Sequence, residues 1–65
     1  MTPDRFRECL DFVGWSQRGF ADYVRVDERQ VRRWAAGQYS IPEPIAAWLD
    51  MLARFHEAHP APQRS

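Results

Sequence analysis

The densest chemistry in the chain lies between residues 28 and 33, where Glu28, Arg29, Arg32 and Arg33 surround Val31. On a helix of about 3.6 residues per turn, Val31 and Trp34 point one way. Arg29, Arg32, Arg33 and Ala36 share the opposite arc, with Glu28 at its edge. A guanidinium is a planar fork that pairs bidentately with a carboxylate, a phosphate or the O6/N7 edge of guanine. Ala36 adds no bulk to that arc, so the arc can approach a grooved partner closely. The major groove of DNA is wide enough to take such a helix. A solvated, arginine-rich surface helix has the same wheel, so the rest of the chain must separate the two readings.

Other reactive side chains form no comparable group. His56 and His59 stand three apart on one predicted helix, but no further Cys, His or acidic residue completes a tetrahedral metal site at a suitable spacing. Cys9 flanks an apolar stripe and reads as a small core residue. There is no glycine-rich phosphate loop, paired-carboxylate motif or nucleophile motif. We therefore expect no enzyme, no catalytic residues, no metal and no cofactor. A small-molecule ligand is not expected either.

Composition narrows the field further. The 65 residues include three Trp, four Phe and two Tyr, and 45% are hydrophobic, too apolar for a disordered chain. A single cysteine excludes an intramolecular disulfide and suits a reducing cytoplasm. No apolar run approaches the ~20 residues of a membrane span, and Asp4, Arg5, Arg7, Glu8 and Asp11 argue against a secretory leader. The formal net charge is zero, yet residues 16–40 carry +2, with −1 on each flank. All nine basic residues are arginine.

The elements that must position the arginines are strongly punctuated, and all are helical. The spacing predicts a first helix over Pro3–Val13, with Thr2 as N-cap, Pro3 at the first position and Gly14 after its end. A second spans Gln17–Val24 behind Ser16, and Trp15 and Phe20 have the spacing of a hydrophobic staple. A third spans Glu28–Ala36 behind Asp27, with a Val26–Val31 staple, a capping box to Gln30 and Gly37 as stop. The short joint Arg25-Val26-Asp27 makes the second and third helices meet at a sharp turn. A fourth runs from Glu43 to His59, with Pro42 and Pro44 confined to its start and Pro60 ending it. Residues 60–65 read as a flexible tail, leaving residues 1–59 as the folded domain.

From Gln17 the sequence reads QRGFADYVRVDERQVRRWAAG. This resembles the helix-turn-helix of the Cro/cI-type (XRE family) DNA-binding proteins. The matching positions are Gln17, Ala21, Val26, Val31, Trp34 and Gly37, without a gap. The resemblance spans Phe6 to about Leu52. It implies an all-α bundle of four to five helices, a lambda repressor-like DNA-binding domain, in which Ala21 is small because two helices cross there. Where the family often has glycine at the turn, this chain has Arg25. A left-handed Arg25 would carry strain of about 1–2 kcal/mol and put another cation near the DNA backbone.

Carried over by position, the resemblance implies that Gln17 binds a backbone phosphate, aided by amides at the start of its helix. Glu28, Arg29, Arg32 and Arg33 match the groove-facing positions, with Arg29 and Arg33 as the base readers. Gln38 and Tyr39 follow Gly37 and could meet the backbone, although Tyr39 could equally pack on the core. The implied function is sequence-specific binding of double-stranded DNA at an inverted-repeat operator by a cytoplasmic homodimeric repressor. By size it is similar to regulators from phages and mobile elements, including anti-CRISPR-associated autoregulators. The competing class is a protein-binding adaptor, antitoxin or inhibitor on the same scaffold, which the neutral net charge keeps open.

The fourth helix bears on dimerisation. Ile45, Leu49, Leu52 and His56 are expected to close the core. Trp48, Met51 and Phe55 then remain as apolar surface, and exposed apolar surface on so small a domain marks an interface. We expect these three to form the homodimer contact.

Overall fold

Thr2, Ser16 and Asp27 each adopt a non-helical backbone and accept a main-chain N–H with the side chain, and each opens a helix. In the computed structural model, which describes residues 1–59, four helices follow: α1 (Pro3–Val13), α2 (Gln17–Val24), α3 (Glu28–Ala36) and α4 (Glu43–Ala58). The expected tail, residues 60–65, and the stop at Pro60 lie outside the described residues. No strand occurs among the described residues, so the fold is all-α. The fourth helix ends one residue earlier than expected, with His59 already non-helical at φ −131°. No helix among the described residues is long and apolar enough to cross a membrane.

The first three helices end alike. Gly14, Arg25 and Gly37 follow them in the left-handed conformation, with φ of 86°, 60° and 80°. In each case the next amide reaches back to a carbonyl of the last turn: Trp15 to Leu10 at 2.9 Å, Val26 to Ala21 at 3.0 Å, Gln38 to Arg33 at 2.9 Å. This six-to-one bond satisfies a carbonyl that the helix leaves unpaired, and it needs a positive φ at the residue it spans. Arg25 supplies that φ as the only non-glycine in this state among the described residues. Gly37 is constrained twice, since a Cβ there would also stand 3.0 Å from Pro3 Cγ at the start of α1.

Phe6 organises the core. It is fully buried and meets Phe20 of α2 edge-on at 5.4 Å and Trp34 of α3 edge-on at 6.3 Å. Cys9, Leu10, Ala21, Val31, Ala35, Ile41, Ala46, Leu49 and Ala53 complete it. Burying a side chain of this kind contributes about 1.5–3 kcal/mol, and edge-on aromatic pairs add about 0.5–1.5 kcal/mol. α1 packs against both α3 and α4, and α2 packs on α3. Ala21 is buried on α2, as a close helix contact requires. Trp15 lies 5.8 Å from Phe20, so the first staple forms.

Two arginines tie α1 to its neighbours, Arg5 through an ion pair and Arg7 through a hydrogen bond to a backbone carbonyl. Arg5 donates through Nε and Nη2 to Asp50 Oδ1 of α4, at 3.1 and 2.9 Å, and Arg54 Nε approaches Asp50 Oδ2 at 2.8 Å. The Arg5 hydrogen bond, with help from the Arg54 charge, holds the Asp50 carboxyl below the usual range, against the partial desolvation that would raise it. Arg7 donates to the Ala35 carbonyl in the last turn of α3 and also pairs with Asp4. Burial pushes the Cys9 thiol up, consistent with a core residue.

Two local expectations need correction. Asp27 caps α3 by accepting from the Arg29 amide at 2.8 Å, while the Gln30 amide goes to the Asp27 carbonyl at 2.9 Å. The cap is therefore made one residue earlier than a capping box with Gln30 would have it. α4 is also turned by roughly 60° from the expected orientation, taking 100° per residue. Its buried residues are Ala46, Leu49 and Ala53, whereas Ile45, Leu52 and His56 are only half-buried. Two of the three buried positions are alanines, small enough for close helix packing, and α4 packs on α1.

Candidate nucleic-acid interface

α3 is nine residues long, and its two sides differ sharply. Val31, Trp34 and Ala35 are buried against the core, while Arg29, Arg32, Arg33 and Ala36 are exposed. Packing fixes this roll, because Trp34 meets Phe6 on the far side and Arg7 holds the Ala35 carbonyl. The arginine arc is thus presented by a helix anchored along its opposite side.

The three arginines have different surroundings. Arg32 Nη2 lies 3.3 Å from Glu28 Oε2, one turn back on the same face. Arg33 rests over the Tyr39 ring, with its guanidinium carbon 5.6 Å from the ring centre. Arg29 makes no side-chain ion pair among the described residues. Two guanidinium groups therefore keep their full positive charge outward, and one shares it with a carboxylate.

The remaining predicted residues surround α3 in sequence. Arg25 is exposed in the turn before it, and Gln38 and Tyr39 are exposed in the turn after it. Tyr39 is 56% exposed, so it does not pack in the core. Gln17 is the first residue of α2 and is half-buried. Sequence reasoning missed Arg7, which holds the end of α3. The one visible signal was its spacing from Asp4, three residues earlier on the same helix.

Of the three residues expected at a dimer contact, Met51 and Phe55 are 60% and 62% exposed. Trp48 is different. It is half-buried, stacks on Tyr23 at 5.9 Å with an interplanar angle of 3°, and lies 5.9 Å from Trp15. Trp48 is thus engaged within its own chain and is not surface left over.

Among the described residues no three His, Cys, Asp or Glu side chains come together as a metal site. An open depression of about 590 Å³ lies beside the Arg5, Asp50 and Arg54 ion pairs. Comparison with protein-family models, with curated proteins and with solved structures returns no match.

Proposed function

We propose that this chain is a sequence-specific double-stranded DNA-binding transcriptional regulator built on a helix-turn-helix. In this reading α2 and α3 are the two helices of the motif, and α3 enters the major groove. The observation that carries it is the split of α3 into a core-anchored side and an arginine arc with Ala36 at its end. Arg29 and Arg33 reach base edges. Gln17, Arg25, Gln38 and Tyr39 contact the backbone, which positions the protein, and the base contacts give specificity. The protein acts as a homodimer on an inverted repeat and represses transcription by occupying a promoter.

Duplex binding as a function of salt tests the reading. A protein that neutralises phosphates loses affinity linearly in log[salt], with a slope near −0.9 for each phosphate contacted. A steep negative slope supports DNA binding. A flat response, or no binding at low salt by the folded protein, would favour a protein-binding module, to which the neutral net charge and the exposed Met51 and Phe55 are also suited.

A further inference from the structure

We infer that α3 reads two guanines in each half-site, about one to two base steps apart, through Arg29 and Arg33, with Tyr39 as the positioning residue for Arg33. The inference rests on the DNA-binding reading above and adds what the site recognises.

The neighbours of the three arginines sort them. Arg32 is drawn back along the helix to Glu28, 3.3 Å away, so part of its fork and its charge is already engaged. The same contact occupies Glu28, the one acidic side chain on this face that would otherwise accept from a cytosine amino group. Arg29 has no such anchor and Arg33 has a different one. A guanidinium lying over an aromatic ring is held by the ring's negative face and keeps its N–H donors for other partners. Tyr39 therefore restrains Arg33 without occupying the groups that recognise a base. A side chain ordered before binding loses less freedom on binding.

Spacing supplies the rest. Arg29 and Arg33 are four residues apart on one helix, about 6 Å along its axis. Successive base pairs are about 3.4 Å apart along the DNA axis, so two arginines on a helix inclined in the groove meet bases about one to two steps apart. The guanine O6/N7 edge is the one that an arginine fork pairs with bidentately.

Selection of bound duplexes from a random pool, followed by competition with single-base variants, tests this. The proteins are wild type, Arg33→Ala, Tyr39→Phe and Tyr39→Leu, each first shown to be helical by circular dichroism. Wild type is expected to recover half-sites with two guanines about one to two steps apart, each worth about fivefold or more in affinity. Arg33→Ala removes the preference at one guanine only. Tyr39→Leu weakens the preference at that same guanine by about two- to fivefold and leaves the other intact. Tyr39→Phe keeps the ring and so keeps the preference at both guanines, while loss of a backbone contact from the hydroxyl lowers affinity for all duplexes alike.

Recovered half-sites without the guanine pair would overturn the inference while DNA binding stands. The positioning role of Tyr39 fails if Tyr39→Leu weakens both guanines equally or neither. It also fails if Tyr39→Phe behaves like Tyr39→Leu, since the hydroxyl and not the ring would then act. No enrichment by the folded wild-type protein overturns the inference together with the reading beneath it.

Discussion

The Arg7 guanidinium of α1 donates to the Ala35 carbonyl in the last turn of α3, while its other nitrogen pairs with Asp4. The end of a helix carries unpaired carbonyls and a partial negative charge, so a cation there is favourable. Arg7 thus satisfies a carbonyl of α3 from another element. Arg7→Met keeps the apolar stem and removes the donor, and is expected to cost about 0.5–1.5 kcal/mol. Amide exchange in the last turn of α3 should rise more than exchange in α2. Equal stability and unchanged exchange would mean that the contact does not hold α3.

Ala21 is buried on α2 where that helix packs on α3. Ala21→Leu adds volume at this contact, and overpacking costs about 1–3 kcal/mol. A domain of this size has little stability to spare, so the variant is expected to melt far below wild type or to release α3. Thermal unfolding by circular dichroism reads the outcome. A variant as stable as wild type would place Ala21 outside the contact.

Arg25 sits at φ 60° and ψ 42°, and the Val26 amide bonds across it to the Ala21 carbonyl at 3.0 Å. Arg25→Gly relieves the left-handed strain but also frees the unfolded chain, so the net gain is expected to be only tenths of a kcal/mol. The same variant is expected to bind DNA less well, since a cation beside the backbone is gone. A clear loss of stability in chemical denaturation would mean that the Arg25 side chain contributes more than its backbone costs.

How legible the chain was depends on the range of the interaction. Helix limits followed from caps and stops because those signals act within a few residues of Thr2, Ser16, Asp27, Gly14 and Gly37. The left-handed Arg25 was visible because the turn demanded its conformation whatever residue occupied it. Arg7–Ala35 and Arg5–Asp50 were hidden, since each joins elements remote in sequence and depends on how far a long side chain reaches. The roll of α4 was misjudged for a related reason. A search for large apolar residues passes over Ala46 and Ala53, yet small residues decide how closely two helices approach. Trp48 belongs to the stack with Tyr23 and Trp15 rather than to the free surface, a contact between helices that the wheel of α4 alone does not show. The arginine arc was legible as a wheel, but the pairing of Arg32 with Glu28 and of Arg33 with Tyr39 required the structure.

The Asp50 carboxyl titrates below its ordinary value, chiefly because Arg5 hydrogen-bonds to its charged form. A carboxyl with a lowered folded value stabilises the fold above its unfolded value, about 3.9, and that contribution is lost as pH falls through the folded value. Wild type is therefore expected to melt above Asp50→Asn at neutral pH, with the gap closing as the pH drops below about 4. Both partners are about 70% covered at their side chains, from exposures of 28% and 30%, so screening by salt should narrow the gap only in part. Parallel melting curves across the whole pH range would show that the Arg5–Asp50 pair does not stabilise the fold.

One short recognition helix reads only a few base pairs, too few to find one promoter in a genome, so the DNA-binding reading calls for two copies. The face of α4 opposite Ala46, Leu49 and Ala53 is suited to that role. On the wheel it carries Pro44, Ala47, Met51, Phe55 and Ala58, and Met51 and Phe55 are 60% and 62% exposed. A helix apolar on both sides is normally covered on both. The face is also self-complementary. A two-fold axis through Met51, with the helices antiparallel, sets each Phe55 against the Ala47 of the other copy, large against small. Phe55→Glu would bury an unpaired carboxylate at each of these contacts, which is costly. Because Phe55 lies outside the core, the variant is expected to stay folded and to sediment as a monomer where wild type is a dimer. Its arginine arc is intact, so weak duplex binding should persist while affinity for an inverted repeat falls by at least about tenfold. Sedimentation velocity with circular dichroism decides between the alternatives. A wild-type monomer at tens of micromolar would leave this face without a second copy, and a Phe55→Glu variant that unfolds would show that Phe55 supports the fold of a single chain.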